Sequence, residues 1–501
     1  MITYDLSARG DETIYAYLYA CIRRDIETGA IAADRRLPSK RALASHLGVS
    51  VITVEAAYRQ LVAEGYVRSV ERRGFFANPI SFASPLRRPN VKAADAATLD
   101  VEPRRVAVAT DAPSGTKVAF DLSSSTPAAG MFPFKAWSRC VRQALSQASE
   151  EELLLQSAGQ GSLRLRRAIA AHLRAFRGMD VDSQCIVIGA GSQTLYQLIV
   201  QLLGRSLRFA VEDPGYPRLT QIYRANDVDV AHVPLEPDGI DLDVLAASRA
   251  QVAHVMPSHQ YPTGCVTSVA KRYGLLAWAL QGQDGSCQSQ RWVVEDDYDS
   301  EFRLSGRPIP SLASIDAAGR VIYLNTFAKT LGPGFRMSYV VLPEGLAERY
   351  RDQLGFYSCT VSAIDQLALA LFIEDGSYER HINRMRTLYR GVAEALVAAV
   401  RETSLGEVAA FEHVDAGLHF VLRLPERTPT GPFCEEAAAR GVRIQPLSAF
   451  RQMPAADDAP YAQGGFDARF LVNFSGLLPR QAPEVARALG QAWERVCAIS
   501  G

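Results

Sequence analysis

Downstream of Phe120, short β-branched runs alternate with longer amphipathic ones, and this rhythm constrains the fold more than any other feature. The runs Cys185–Ile188, Leu207–Val211, Val252–Met256, Trp292–Glu295 and Val321–Leu324 read as strands. Most are separated by stretches long enough for a crossover helix, such as Ser192–Leu203 and Val269–Leu280. That alternation predicts a mainly parallel sheet covered by helices. After about Ser377 it gives way to one long helix, Tyr378–Val400, and to short strands at His419–Leu424 and Phe470–Phe474. A smaller α+β unit should close the chain.

The 501 residues exceed what one simple core holds, and about three globular units are expected. A hydrophobic share of 48% with 22% charged residues excludes a disordered, collagen-like or coiled-coil chain. Lys+Arg and Asp+Glu are equal at 54 each, so no global field attracts nucleic acid or membrane; any DNA-binding surface has to be local. No apolar run approaches the roughly 20 residues of a membrane span. The opening Met1-Ile2-Thr3-Tyr4-Asp5 lacks the basic and apolar stretches of a signal peptide. Eight scattered cysteines with no CxxC pair argue against a disulfide framework or a zinc site. The expectation is a cytoplasmic protein with no metal.

Residues 1–80 carry eleven Arg/Lys against nine Asp/Glu, and the basic ones cluster at Arg35, Arg36, Lys40 and Arg41 and at Arg68, Arg72 and Arg73. Ile14, Leu18, Ile22 and Ile26 make one apolar helix face. Ser39 caps a second helix, Lys40–Leu47, that stops at Gly48. After a turn at Gly48-Val49-Ser50, a third helix runs to about Glu64, with Val54, Tyr58, Leu61 and Val62 inward and Ser50, Val51, Thr53, Glu55 and Arg59 outward. Two helices joined so tightly form a helix-turn-helix. Tyr66–Val70 and Phe75–Ala77, linked by Glu71-Arg72-Arg73-Gly74, then make a hairpin with a basic tip. From about Pro79 to Gly115 the chain turns to Ala, Pro, Asp and Ser without period, which reads as a linker spanning up to about 100 Å if extended.

The strings Leu37-Pro38-Ser39-Lys40-Arg41-Ala42-Leu43-Ala44, Leu47-Gly48-Val49-Ser50 and Tyr58-Arg59-Gln60-Leu61-Val62-Ala63-Glu64-Gly65-Tyr66 closely resemble the winged helix-turn-helix of the GntR family. The resemblance implies a third helix in the major groove, with Ser50 and Thr53 on phosphate or bases. It likewise implies Arg41 on the backbone and Arg72 and Arg73 at the adjacent minor groove. Many relatives carry a polar residue after the Ser. Val51 stands there instead and offers only apolar contact, for example to a thymine methyl.

Five segments follow the expected strands, where open α/β sheets place their ligands. They are Ile188-Gly189-Ala190-Gly191-Ser192-Gln193, Glu212-Asp213-Pro214-Gly215-Tyr216-Pro217-Arg218, Pro257 to Gly264, Glu295 to Asp299, and Thr326 to Leu331 followed by Arg336. A lysine after one strand, an acid at another, an aromatic beside them and a phosphate-ready helix start suit pyridoxal 5'-phosphate (PLP). Lys329 would form the Schiff base, and Asp296 would pair with the pyridine nitrogen. Arg336, Thr326, Ser192 and Gln193 would hold the phosphate, Tyr298 the ring oxygen and Tyr216 the ring face.

Over about residues 120–500 the chain resembles fold-type I aminotransferases. More closely it is similar to MocR-type regulators, which fuse a GntR-type winged helix to such a domain. Ser258-His259-Gln260-Tyr261-Pro262-Thr263-Gly264, Glu295-Asp296-Asp297-Tyr298-Asp299-Ser300-Glu301-Phe302, Thr326-Phe327-Ala328-Lys329-Thr330-Leu331 and Pro446-Leu447-Ser448-Ala449-Phe450 carry that resemblance. The implied architecture is multidomain. A winged helix-turn-helix (1–80) and a linker (81–116) precede an α/β aminotransferase-like large domain (117–375) and a small α+β C-terminal subdomain (376–501).

The resemblance implies a homodimer, plausibly head-to-tail, that regulates transcription by sensing an amino compound or PLP itself through aldimine exchange or occupancy. The alternative is a working aminotransferase whose N-terminal domain localises it on DNA. Two departures count against that alternative. Tyr261 replaces the Asn that usually precedes Pro-Thr-Gly. The usual carboxylate arginine, counted back from Phe474, falls on Leu471. Arg218 and Arg469 remain as candidates for an effector carboxylate. Gln281–Gln290 reads as a surface insertion without function.

Overall fold

The structure is a computed structural model. It describes residues 4, 6–9, 12–70, 73–79, 118–155, 157–281, 290–304, 309–453 and 468–500. The linker 81–116, Arg72 and nearly all of the Gln281–Gln290 insertion lie outside the described residues.

The N-terminal unit folds as its pattern dictates. Helices α1 (Ile14–Glu27), α2 (Lys40–Leu47) and α3 (Val51–Ala63) precede an antiparallel hairpin of β1 (Val67–Val70) and β2 (Gly74–Ala77). Leu18, Ile22, Leu43, Val54, Tyr58 and Leu61 are fully buried in its core. Ser39 caps α2 by accepting from the Ala42 N–H, and Ser50 caps α3 by accepting from the Thr53 N–H. Gly48, at φ +66°, ends α2 in the left-handed region that a side chain would resist.

The large sheet has eight strands, and four of its neighbouring pairs are parallel: Phe209–Asp213 with Val230–Glu236, Phe209–Asp213 with Val252–Val255, Val252–Val255 with Trp292–Asp296, and Trp292–Asp296 with Val321–Thr326. Ser338–Val341 lies antiparallel between Val321–Thr326 and Ile186–Gly189. The hairpin that brings it back contains both Lys329 and Arg336. The smaller unit is a four-stranded antiparallel sheet of Ala410–Glu412, His419–Arg423, Arg469–Asn473 and Gln445–Pro446, packed on Ala482–Ser500 and the later turns of Ser377–Arg401. The first strand after the linker, Phe120–Asp121, pairs with Val442–Arg443 of this smaller unit. Helix Ser377–Arg401 spans both cores: Tyr378 and Ile382 pack in the large domain, Met385 and later residues in the small one.

Buried ions staple the loops at the carboxyl ends of the strands. Arg272 is fully buried and donates to the carbonyls of Thr267, Pro310 and Pro257. Arg177 pairs with Asp297 at 2.7 Å, both out of water. The winged-helix unit rests on helix Val269–Leu280. Val269 joins its core, and Gly65 (φ +78°) lies so close that a Cβ would come within 3.2 Å of the Ser268 Cβ. Glu64, at the end of α3, is buried and accepts from the Tyr19 hydroxyl and the Gln60 amide. Among the described residues no helix is long and apolar enough to cross a membrane, and the described cysteines are free.

Glu212 ties two site loops together. Its Oε2 accepts from the Met256 N–H at 3.1 Å and the Gln260 amide at 3.4 Å, and burial pushes its carboxyl up to about 8. A folded pKa above the ordinary carboxyl range contributes stability in acid that is lost as pH rises through the folded value. Thermal melts between about pH 6 and pH 9 should therefore show a fall of several degrees in the wild type that is flatter in Glu212→Gln.

Candidate cofactor pocket and DNA-facing surface

Strand alternation sorts the acidic run at the end of Trp292–Asp296. Glu295 accepts the N–H groups of Leu312 and Ala313 at 2.8 and 2.9 Å, and Asp297 takes Arg177. Asp296, between them, faces the opposite side. Its Oδ2 accepts from Tyr196 Oη at 2.5 Å and lies 3.5 Å from His254 Nε2, whose Nδ1 is 2.6 Å from Tyr223 Oη. Its Oδ1 is buried and has no partner. A carboxylate oxygen is not left this way without cost, about 1–3 kcal/mol. It is what a cationic ring N–H would satisfy.

Lys329 follows the neighbouring strand, its ammonium 5.6 Å from the centre of the Tyr298 ring. Desolvation holds it below the ordinary lysine pKa, opposed by Asp299 and Asp296. A lysine poised in this way is closer to the free amine that attacks a carbonyl. Tyr216, Tyr261 and Tyr298 form the aromatic wall, with Tyr261 edge-on to Tyr216 at 6.0 Å and to Tyr298 at 6.4 Å. Phe450 and Leu447 of the Pro446–Phe450 string pack behind Tyr261.

The anion site is built at the start of helix Ser192–Leu203. Gly191 (φ +88°) caps that helix without a side chain, leaving its first N–H groups open. Arg336, itself left-handed at φ +50°, lays its guanidinium against the turn and donates to the Ala190 carbonyl at 3.2 Å. A Cβ on Gly191 would sit 2.6 Å from that guanidinium. Ser192 and Gln193 open the helix as expected. The Thr326 hydroxyl accepts from the Ala328 N–H and Ser338 Oγ, so it braces the hairpin from within.

Of the two candidate arginines, Arg218 is exposed beside the Tyr261 wall, where its charge opposes the burial that raises the Tyr261 phenol. Arg469 pairs with Glu412 at 3.1 Å and lines a 210 Å³ cavity with Glu236, Thr263, Cys265 and His413, away from Lys329 and Asp296. Leu471, in the expected arginine register, is fully buried against Leu447, Phe450 and Tyr261.

On the N-terminal unit, α3 presents Val51, 41% exposed, and Ile52, 77% exposed, at its first turn. Such apolar exposure at a helix start is not explained by the core. Ile52 was missed in the sequence because it falls between the buried and the capping positions, and only the folded helix shows it outermost. Ser50 Oγ and Thr53 Oγ1 lie 2.8 Å apart, sharing a hydrogen bond within the cap. Glu55 is held by Lys40 at 2.8 Å, bridging α2 and α3. Arg41 and Arg73 are exposed around this face.

Comparison with known proteins agrees with both halves. Residues 14–77 match the family model "Bacterial regulatory proteins, gntR family", and residues 128–257 match "Aminotransferase class I and II". The HTH-type transcriptional regulator YhdI of Bacillus subtilis is 36% identical over 89% of this chain and 91% of its own length. The MocR regulatory protein of Rhizobium meliloti is 32% identical over 98% and 96%. Among solved structures, the multiple substrate aminotransferase of Thermococcus profundus superimposes with a TM-score of 0.63 at 25% identity, covering 77% of this chain and 93% of that one. With a DNA-reading winged helix at one end and an aminotransferase fold at the other, the chain belongs to the MocR-type branch of the GntR family of transcriptional regulators.

Proposed function

We propose that this regulator holds PLP at Lys329 and uses its aminotransferase-like domain as a sensor whose occupancy changes how paired winged helices meet an operator. The observation that carries the proposal is Asp296, a buried carboxylate with one oxygen satisfied and the other left open beside a lysine of lowered pKa. Bound PLP supplies an aldehyde carbon electrophilic toward amines and a ring that takes up electrons. Asp296 Oδ1 would accept the ring N–H, Lys329 would hold the aldehyde carbon, and Tyr216 would cover the ring face. Arg336 and the N–H groups at Ser192 and Gln193 would bind the phosphate, with Thr326 keeping the hairpin in register. Tyr298 would face the ring oxygen.

The effector on this reading is a small amino compound that competes with Lys329 for the same carbon, or PLP itself. A carboxylate on such a compound would find Arg218, which is exposed beside the aromatic wall, whereas Arg469 is paired with Glu412 in a separate cavity. Aminotransferase-like folds are typically dimeric, and a head-to-tail homodimer would present two readers to a repeated or palindromic operator, with half-sites about 34–36 Å apart or a multiple of that. The intact Lys329 and Asp296 also fit an active aminotransferase. Against it stand the aromatic Tyr261 and the buried Leu471, at two places where aminotransferases carry polar groups.

Two outcomes are expected. Wild type mixed with PLP should gain a visible absorption band that Lys329→Ala lacks. Amino donors should shift that band without steady release of keto acid, and sustained keto-acid production would establish the enzyme instead. On DNA, Arg41, Ser50, Thr53, Arg72 and Arg73 would grip the backbone and flanking groove, while Val51 and Ile52 read thymine methyls. Replacing operator thymines by uracil should weaken wild-type binding about fourfold for each contacted methyl. The double variant Val51→Ser/Ile52→Ser should be nearly insensitive to that replacement and keep the wild-type salt dependence in gel shifts or fluorescence titrations.

A further inference from the structure

His259 lies within hydrogen-bonding distance of two groups through the same nitrogen. Its Nδ1 is 2.9 Å from Asp299 Oδ2 and 3.3 Å from the Tyr298 hydroxyl. Asp299 Oδ2 also takes the Leu418 N–H at 3.3 Å, and both Asp299 and His259 are buried. The ring is clamped on either side. His419 packs against it with centroids 4.3 Å apart. Gly417 (φ +70°) passes so close that a Cβ there would fall 2.0 Å from the His259 Cε1. The Nε2 is buried with no partner. No sequence argument assigned this histidine a role, and the family string that contains it gave only a resemblance.

These contacts fix the tautomer. An ionised carboxylate only accepts, so the 2.9 Å contact places the proton on Nδ1. The Tyr298 oxygen then meets an N–H and can only accept from it. Among the described residues the Tyr298 hydroxyl has no other hydrogen-bond partner, so its own proton has nowhere to go within the protein. Burial, with Asp299 next, pushes the phenol well above its ordinary pKa, so the proton is retained. The other titratable groups around the two rings are His413 and His419, whose pKa values burial lowers, Lys329, whose charge acts on His419, and Tyr261, Asp296 and Glu212, which act on the Tyr298 phenol. Arg303 lines the small cavity on the far side of Asp299.

We propose that His259, anchored by Asp299, is a positioning residue for Tyr298: by presenting an N–H instead of an acceptor, it turns the phenol's proton into the pocket beside Lys329, toward the ring oxygen of bound PLP. This rests on the PLP reading given above. It also accounts for how a site with Tyr261 in place of the usual Asn can still supply a directed donor to that oxygen. A donor there withdraws charge from the ring oxygen and weakens its hold on the proton shared with the lysine nitrogen. Losing the donor therefore raises the pH at which the bound chromophore gives up that proton.

The test is a spectrophotometric pH titration of full-length protein loaded with PLP, comparing wild type, His259→Gln, Asp299→Ala, Tyr298→Phe and the His259→Gln/Tyr298→Phe double variant. The titration midpoint should rise by about one pH unit in Tyr298→Phe and by a large part of that in His259→Gln. Asp299→Ala leaves the imidazole in its clamp but removes the acceptor that fixes its tautomer, should move the midpoint the same way, and covers the case in which His259→Gln does not fold. The double variant should titrate like Tyr298→Phe alone, because a positioning residue has nothing to act on once the phenol is gone. A His259 or Asp299 variant that folds by circular dichroism and titrates like wild type overturns the proposal, as does an additive double variant. A wild type without a titrating band overturns the PLP reading itself and this inference with it.

Discussion

Asp296 is the group on which the arrangement of the large domain turns. A carboxylate at the end of a buried parallel strand is costly to desolvate, and here the Tyr196 hydroxyl satisfies one of its oxygens, with His254 Nε2 3.5 Å from the same atom. Tyr196 reaches it from helix Ser192–Leu203, His254 from the adjacent strand, and Tyr223, on helix Pro217–Ala225, steadies that histidine. The same helix that contributes Tyr196 opens at Gly191 beside Arg336. A single rigid element thus sets the distance between the acid and the anion site. The second oxygen stays open, and the cost of leaving it so is offset only by a ligand that brings an N–H.

The acids flanking it serve the scaffold. Glu295 and Asp297 point to the other face of the sheet, one accepting two backbone N–H groups and the other paired through its Oδ2 with Arg177. Arg177 also donates to the Ile309 carbonyl and to Ser258, which begins the string containing His259. One buried cation thereby holds the back of the strand and the root of the loop that orients Tyr298. The rear of this network reaches the N-terminal unit. Arg303 lines the cavity beside Asp299, and its charge also acts on the buried Glu64 at the end of α3. The candidate cofactor pocket and the end of α3 are thus linked by a short chain of buried and half-buried charges, in which rearranging one partner changes the desolvation of the next.

Much of this was legible in the sequence because it follows from local rules. The βα rhythm gave the parallel strands. Ser39, Gly48 and Ser50 marked the ends of the tight helix pair, and strand-end placement gathered Lys329, Asp296 and Arg336. What could not be read depends on contacts between distant segments. The antiparallel strand Ser338–Val341 has the apolar content of its parallel neighbours, and nothing local gives its direction. Phe120–Asp121 is two residues long and gains its identity only by pairing with Val442–Arg443. The pairing of Arg469 with Glu412, far from it in sequence, is one such contact. Gln60 and Glu64, polar residues in the last turn of α3 and at its end, are buried, where the chain at Gly65 meets helix Val269–Leu280.

The aromatic and apolar substitutions around Tyr261 bear on why such a fold would serve sensing better than turnover. Catalysis requires that the substrate be held in one orientation while a proton moves, and this in turn requires directional donors on more than one side. Here Tyr261 is edge-on to Tyr216, Tyr298 and Phe450, and Leu471 closes the register where an arginine would stand. These groups define a shape without fixing the orientation of a charged end, apart from the exposed Arg218. A pocket of this kind still lets an amine compete for Lys329, since that exchange depends on the lysine's lowered pKa and on the acid beneath the ring. On the sensing proposal the chemistry that binds would be retained, while packing against the Pro446–Phe450 segment stands where contacts orienting a substrate would be. On that proposal, occupancy would act first on the small subdomain, which carries that segment.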